Sequence, residues 1–311
     1  GYAVTPRLAN TLGHMRALWA DFPEARAIYW QDDRPKRVGE TVRNPAYAAL
    51  LKTLAKKGAK AFYTGQNAKA IIDATGQSKR NPTIITITDL ARYKAKDRDA
   101  VCAPYRTYTL CGMGPPSSGA TTVLQILGML ERFDMKALGK DNAKSWHLIA
   151  EAMQLAYADR EKYLADPDFV SVPTKGLLDK SYIASRSALI SEQTSLSSYS
   201  AGTPPGAPVR TSAISGEVSG TTHFVAVDGT GNVASMTSTV EGPFGSQLVA
   251  NGYVLNNELT DFTMMPEKDG APVANRVQAG KRPVSSMSPT IVYDAQGKPV
   301  FVVGAAGGKT I

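Results

Sequence analysis

Thr221 is the residue of this chain whose neighbours best equip it for chemistry. It stands in the run Ser-Gly-Thr-Thr-His-Phe (219–224), after a glycine and at the start of a β-branched, apolar stretch. A threonine hydroxyl is a weak nucleophile unless a base lies beside it. Cutting the chain at Gly220–Thr221 would supply one, because a freed α-amino group has an ordinary pKa of roughly 7.7–8.0 and accepts a proton near neutrality. Residues 222–228 and 233–240 read as strands joined by the turn cluster Gly-Thr-Gly-Asn. Folding about position 230 sets Thr239 opposite Thr221, so a second hydroxyl is expected beside the nucleophile. A second hairpin joins 289–293 to 299–303 through Asp-Ala-Gln-Gly-Lys. Centred near 296, it is expected to bring Ser285 and Ser286 beside Gly307 and Gly308. Two hydroxyls and two unhindered backbone N–H groups at one sheet end suit an oxyanion hole next to a carboxylate-binding pair.

Other elements must hold these residues in place. Residues 1–20 and 45–60 have helical character, with Leu50, Leu51 and Leu54 on one stripe. Residues 82–88 (PTIITIT) and 107–111 read as strands. An apolar helix is expected over 119–133, entered through Pro-Pro-Ser-Ser-Gly. A second long helix is expected over 143–165, with Trp146, Ile149, Met153, Ala156 and Tyr157 inward. From 186 to 218 the chain is rich in Ser, Pro, Gly and Thr, which reads as a mobile linker with the slack self-cleavage needs. Cys102 and Cys111 flank a hairpin centred between Arg106 and Thr107. They should oppose each other within disulfide reach, the alternative being two small buried thiols.

With these elements laid out, the chain resembles the γ-glutamyltransferase (glutathione hydrolase) family of N-terminal-nucleophile hydrolases. The resemblance is carried by TTHFVAVD at 221–228, FGS at 244–246, LNNELTDF at 255–262, KRPVSSMSPT at 281–290 and GAAGG at 304–308. Upstream, PPSSG at 115–119, QILGMLE at 125–131 and AYADREKYLADPDFV at 156–170 match in the same order. The family's fold would be a four-layer α/β/β/α sandwich, helices covering two antiparallel sheets. The resemblance implies a large-subunit portion, 1–220 with its linker at 186–220, and a small-subunit portion, 221–311, packed as one domain. Cleavage at Gly220–Thr221 would expose Thr221 as nucleophile, and Thr239 would orient its amino group or hydroxyl. Gly307 and Gly308 would supply oxyanion-hole N–H groups. Ser285 and Ser286 would hold the substrate's α-carboxylate, while Glu258 and Asp261 would hold its α-ammonium. Taken singly, each has an ordinary reading as turn or solvated surface; their joint order points to a site.

The implied substrates are a γ-glutamyl donor such as glutathione and an acceptor, water or an amino acid. The implied compartment is periplasmic or secreted. Two alternatives stand beside this reading: a cephalosporin (glutaryl) acylase, whose donor lacks the α-ammonium, and an unprocessed relative serving as a binding scaffold. The sequence also departs from the family pattern. Glu241 stands where an asparagine is usual, and by strand alternation it is expected to face the pocket with Thr239. Ala305 and Ala306 stand where Ser-Pro is usual. The stretch from Asp261 to Lys281, expected as a lid, is short. The chain reads as a fragment lacking both family ends, with the family's carboxylate-gripping arginine expected before Gly1.

Composition narrows the remaining classes. The 311 residues are 43% hydrophobic and 20% charged, ordinary for a folded domain. The net charge of +8 raises nucleic-acid binding. The cations are scattered, at Arg34, Lys36 and Arg37, at Lys56, Lys57 and Lys60, and at Lys94, Lys96 and Arg98. No aromatic platform accompanies them, so no nucleic-acid partner is expected. Gly-Lys-Thr at 308–310 lacks the P-loop's earlier glycine, since Val303 stands there. His14, His147 and His223 have no metal-ligand spacing, and no metal or organic cofactor is implied. No run of apolar residues is long enough for a membrane span, and Gly1 does not open a signal peptide.

Overall fold

Pro6, Pro23 and Pro45 each stand in the first turn of a helix, where a missing N–H leaves no hydrogen bond unmade. The computed structural model that shows these helices describes residues 1–216, 220–309 and 311. Residues 217–219 of the expected linker and Thr310 of Gly-Lys-Thr lie outside the described residues. The chain divides into two units, Gly1–Lys96 with Val240–Asn257, and Asp97–Thr239 with Glu258–Ile311.

The first unit contains α1 (Pro6–His14), α2 (Pro23–Tyr29), α3 (Pro45–Lys57), α4 (Gly65–Gly76) and α5 (Ile87–Arg92). Leu12, Trp19, Phe22 and Ala25 form its core, with Phe244 edge-on to Trp19 at a centroid distance of 4.9 Å. The leucine stripe is narrower than its spacing suggests, since Leu50 is buried and Leu51 exposed. The expected strand over 82–88 does not form. Thr86 and Asp89 cap each other reciprocally, and this capping box starts α5 at Ile87. A local cap therefore overrides the β-branched run.

The second unit carries the chemistry. Its first hairpin pairs β1 (Ala100–Tyr105) with β2 (Tyr108–Met113), setting Cys102 directly opposite Cys111. The two are joined by a disulfide, with Cα atoms 4.1 Å apart. Replacing both by serine is expected to lower unfolding stability by about 2–3 kcal/mol, read from the denaturant midpoint of the oxidised protein. No change in midpoint would mean the bridge constrains nothing in the unfolded chain.

Next come α6 (Gly119–Leu130), α7 (Ala143–Tyr163) and α8 (Lys180–Ser187), then the hairpin β3 (Thr222–Val227) and β4 (Val233–Ser238). The last hairpin is β5 (Thr290–Tyr293) with β6 (Pro299–Val303). One antiparallel sheet has the order β6-β5-β2-β1. Helix α6 packs on β1 and β2, and α7 and α8 pack on α6. Met129, Leu130, Leu148, Ala152, Leu155 and Ala156 form the helical core.

Two expectations in this unit are corrected. Trp146 does not face inward; it is 62% exposed. The buried face of α7 instead runs through Leu148, Glu151, Ala152, Leu155, Asp159 and Arg160. Polar residues on that face hid its register from a hydrophobicity pattern. The segment after α8 is irregular, and its first part, to Gly202, is anchored. Gly202 donates to Asp159 at 2.9 Å, Arg186 donates to Ser200 O at 2.8 Å, and Ile190 is buried in the helical core.

Candidate active site

The β3–β4 hairpin places Thr221. Its turn is fixed by Asp228, whose carboxylate accepts from the side chains and backbone of Thr230 and Asn232. Hydrogen bonds from Asn232 and Thr230 hold that carboxyl down at about 2. The register pairs Thr222 with Ser238 and His223 with Thr237. One step further out, Thr221 Oγ1 lies 3.3 Å from Thr239 Oγ1, as the folding point predicted. Thr221 is 8% exposed. His223 Nδ1 lies 2.9 Å from Thr237 Oγ1, and its ring packs on Gly304 at the end of β6. A Cβ at Gly304 would come within 2.3 Å of that ring, so the GAAGG run must begin with glycine for the two hairpins to meet.

Beyond Gly304 the chain returns to Thr221. The Thr221 hydroxyl donates to Gly307 O at 3.2 Å. Gly307 thus faces the threonine, but with its carbonyl rather than the expected N–H in the continuous chain.

Ser285 and Ser286 reach their positions by a route other than the expected one. The β5–β6 ladder ends at Thr290–Val303, because Pro289 has no N–H to extend it. The serines instead lie along the PPSSG loop. Ser285 N donates to Pro116 O at 3.1 Å, and Ser118 N donates to Ser285 O at 2.7 Å. Ser117 and Ser285 form a parallel bridge. A Cβ at Gly119 would lie 2.5 Å from Ser288 Cβ, so the start of α6 approaches this segment as only glycine allows. Ser286 is 3% exposed.

Glu258 and Asp261 begin and end one turn of 3-10 helix, and Asp261 is 4% exposed. Asn275 ties that turn to the serines. Its Nδ2 donates to Asp261 O at 2.7 Å, and its Oδ1 accepts from Val284 N at 2.9 Å. Lys281 fixes the bend around Asn275 by donating to Ala274 O and to Arg276 O. Burial, with Arg276 and Arg210 nearby, pushes the Lys281 ammonium down to about 8. The stretch expected as a lid is therefore partly core: Val273, Ala274 and Asn275 are buried, while Met264, Met265 and the short Glu267–Lys268/Ala271–Pro272 ladder lie towards the surface.

Glu241 does not continue the alternation of β4. The strand ends at Ser238, and Glu241 adopts a left-handed backbone with φ 73°. It belongs to the first unit, where its buried carboxylate accepts from Asn257 Nδ2 at 2.8 Å. Strand alternation from Thr239 therefore does not extend to Glu241, contrary to the expectation from sequence.

Asn275 and the charged face of α7 were not singled out from sequence. Asp159, Arg160 and Asp166, all within the motif at 156–170, are buried. Nothing in the motif, where charged residues alternate with apolar ones along the helix and loop, marks these three as buried. Among the described residues, no group of three or more His, Cys, Asp and Glu side chains is arranged to hold a metal, and no helix is long and apolar enough to cross a membrane.

Comparison with known proteins agrees with this layout. The family model described as Gamma-glutamyltranspeptidase matches residues 1–311. A glutathione hydrolase proenzyme of Escherichia coli (strain K12) is 37% identical over 100% of this chain and 53% of its own length. An Acylase ACY 1 proenzyme of Pseudomonas sp. (strain SE83) is 34% identical over 100% of the chain and 52% of its own length. Among solved structures, a cephalosporin acylase from Bacillus halodurans superposes with a TM-score of 0.78 at 26% identity, covering 97% of this chain and 52% of that one. The Helicobacter pylori gamma-glutamyltranspeptidase gives 0.60 at 37% identity, covering 63% of this chain and 56% of that one. The chain thus spans about half the length of the curated relatives it matches, and its fold class is that of the N-terminal-nucleophile hydrolases. It belongs to the gamma-glutamyltranspeptidase family.

Proposed function

We propose that the protein cleaves itself at Gly220–Thr221 and then transfers γ-glutamyl groups from glutathione-like amides to water or an amino acid. The observation that carries this reading is the Thr221 hydroxyl, buried between Thr239 Oγ1 and the Gly307 peptide and directly preceded by a glycine. In the cleaved form the Thr221 hydroxyl attacks the γ-carbonyl, and its freed amino group takes the proton. Thr239 orients that pair. The developing oxyanion is met by Gly307 and Gly308 N–H groups, which requires the Gly307 peptide to turn from its orientation in the continuous chain. Acyl-enzyme breakdown by water gives hydrolysis, and by an amine gives transpeptidation.

The donor is a zwitterion, and the two polar segments fit its two ends. Ser285 and Ser286 take the α-carboxylate, and Glu258 and Asp261 take the α-ammonium. Asn275 supports this division, because it bonds to the backbone of both segments and so holds them in one register. Residues 1–220 and 221–311 would belong to the large and small subunits of one precursor, working in the periplasm or outside the cell.

A glutaryl acylase is the second reading, favoured by the acylase relative and by the acylase structure that matches most of the chain. The retention of Glu258 and Asp261 on one turn argues against it, since a glutaryl donor has no ammonium for them to meet. Turnover of γ-glutamyl against glutaryl anilide by the full-length protein decides between them. The proposal expects kcat/KM to favour γ-glutamyl by at least about tenfold, the usual worth of one charged contact. Preference for glutaryl would make the enzyme an acylase, and turnover of neither would leave a scaffold.

A further inference from the structure

Arg160 is 2% exposed on α7, and its guanidinium reaches three separate segments of the second unit. Nε donates to Ser118 Oγ at 2.9 Å, and Nη2 donates to Ser286 Oγ at 2.9 Å. Nη1 lies 3.3 Å from Ser215 Oγ and 3.2 Å from Glu161 Oε1. Ser118 Oγ in turn donates to Ser285 O at 2.9 Å. One buried cation therefore holds Ser286 directly and Ser285 through Ser118. The neighbouring Glu161 accepts from Ser215 N at 3.1 Å and pairs with Lys309, which follows the Gly307–Gly308 pair.

A buried guanidinium is costly unless its donors are matched, so a merely structural role would be served better by an apolar side chain. The fork geometry of arginine spaces several oxygens at once, which a lysine point charge does not. A serine hydroxyl that accepts from a guanidinium is turned to donate its own proton, and the cation behind it strengthens that donation to an anion.

We propose that Arg160 is a positioning residue for the donor's α-carboxylate: it sets the Ser285–Ser286 pair as anion donors and, with Glu161, holds Ser215 upstream of the scissile Gly220. The inference rests on the carboxylate role proposed for these serines. Arg160 does not touch the donor; it acts through the Ser286 hydroxyl and, by way of Ser118, through the Ser285 backbone. The same side chain links the carboxylate site to the segment that self-cleavage must position.

The test is a double-mutant cycle in the full-length protein, with kcat and KM measured on γ-glutamyl anilide for wild type, Arg160→Lys, Ser286→Ala and both together. Arg160→Lys should raise KM about tenfold while kcat changes less than about threefold, as expected for loss of charge-assisted hydrogen bonds in ground-state binding. The double variant should be no worse than Ser286→Ala alone, and the half-time of self-cleavage should lengthen with Arg160→Lys. Additive KM effects, or a fall in kcat at unchanged KM, would overturn the role. Should Arg160→Lys remain uncleaved, Ser118→Ala removes the Nε contact together with the bond to Ser285 O, and must show the same non-additivity with Ser286→Ala. Wild type that turns over glutaryl but not γ-glutamyl anilide counts against the proposed donor, not against Arg160. The cycle is then read on glutaryl anilide, which keeps the carboxylate.

Discussion

Thr221→Ala is expected to abolish both self-cleavage and turnover. On the proposed mechanism the substitution removes the hydroxyl that would attack the scissile peptide, and without that cut no α-amino group is freed to act as base. Turnover should fall by at least about four orders of magnitude, the scale seen when a nucleophile is lost. Thr221→Ser should keep a measurable part of both activities, since hydroxyl and latent amine survive. The loss should leave stability nearly unchanged, because Thr221→Ala removes only one methyl group and a hydroxyl that donates to Gly307 O and adjoins Thr239. Denaturing electrophoresis and anilide turnover read the two activities separately. A processed, active Thr221→Ala protein would remove Thr221 from the chemistry altogether.

The next largest effect is expected from Asp261→Asn. The exchange keeps size but turns one acceptor oxygen into an N–H donor and removes the negative charge of a carboxylate that is 4% exposed. If that charge meets the donor's α-ammonium in a dry site, kcat/KM for γ-glutamyl anilide should fall about 10–100-fold, the range for a charged hydrogen bond. Glutaryl anilide lacks the ammonium and should be affected less than about twofold. The preference between donors should therefore narrow or reverse. An equal loss on both donors would mean that Asp261 supports the fold of its turn and does not read the substrate. The bond from Asn275 to Asp261 O is a backbone contact, so it survives the exchange and keeps the turn in place.

The elements that could be read from sequence were those set by local rules. The register of β3–β4 followed from a turn cluster and two short β-branched runs, and it carried Thr239 to Thr221 without tertiary information. The same logic put Cys102 opposite Cys111. It failed one hairpin later, because Pro289 ends the ladder and a distant loop, PPSSG, takes over the serines. Such a pairing across more than 160 residues leaves no periodic trace. Over residues 82–88 strand propensity points one way and the local Thr86–Asp89 cap the other, and the cap prevails. On α7 the hydrophobicity pattern locates Ile149 and Ala156 but not Trp146, because the buried side is rich in charge, satisfied by Gln125, Tyr182 and the three serines. Glu241 shows the limit of strand alternation, which holds only while the backbone remains extended.

The proposed self-activation at Thr221 underlies the mechanism, the donor site and the link through Arg160 alike. Intact mass and N-terminal sequencing of the full-length protein after purification and incubation test it most directly. Cleavage at Gly220–Thr221 predicts two fragments, the second beginning Thr-Thr-His-Phe-Val, with the cut absent in Thr221→Ala. A single uncut chain after long incubation, or a cut at any other bond, would contradict it.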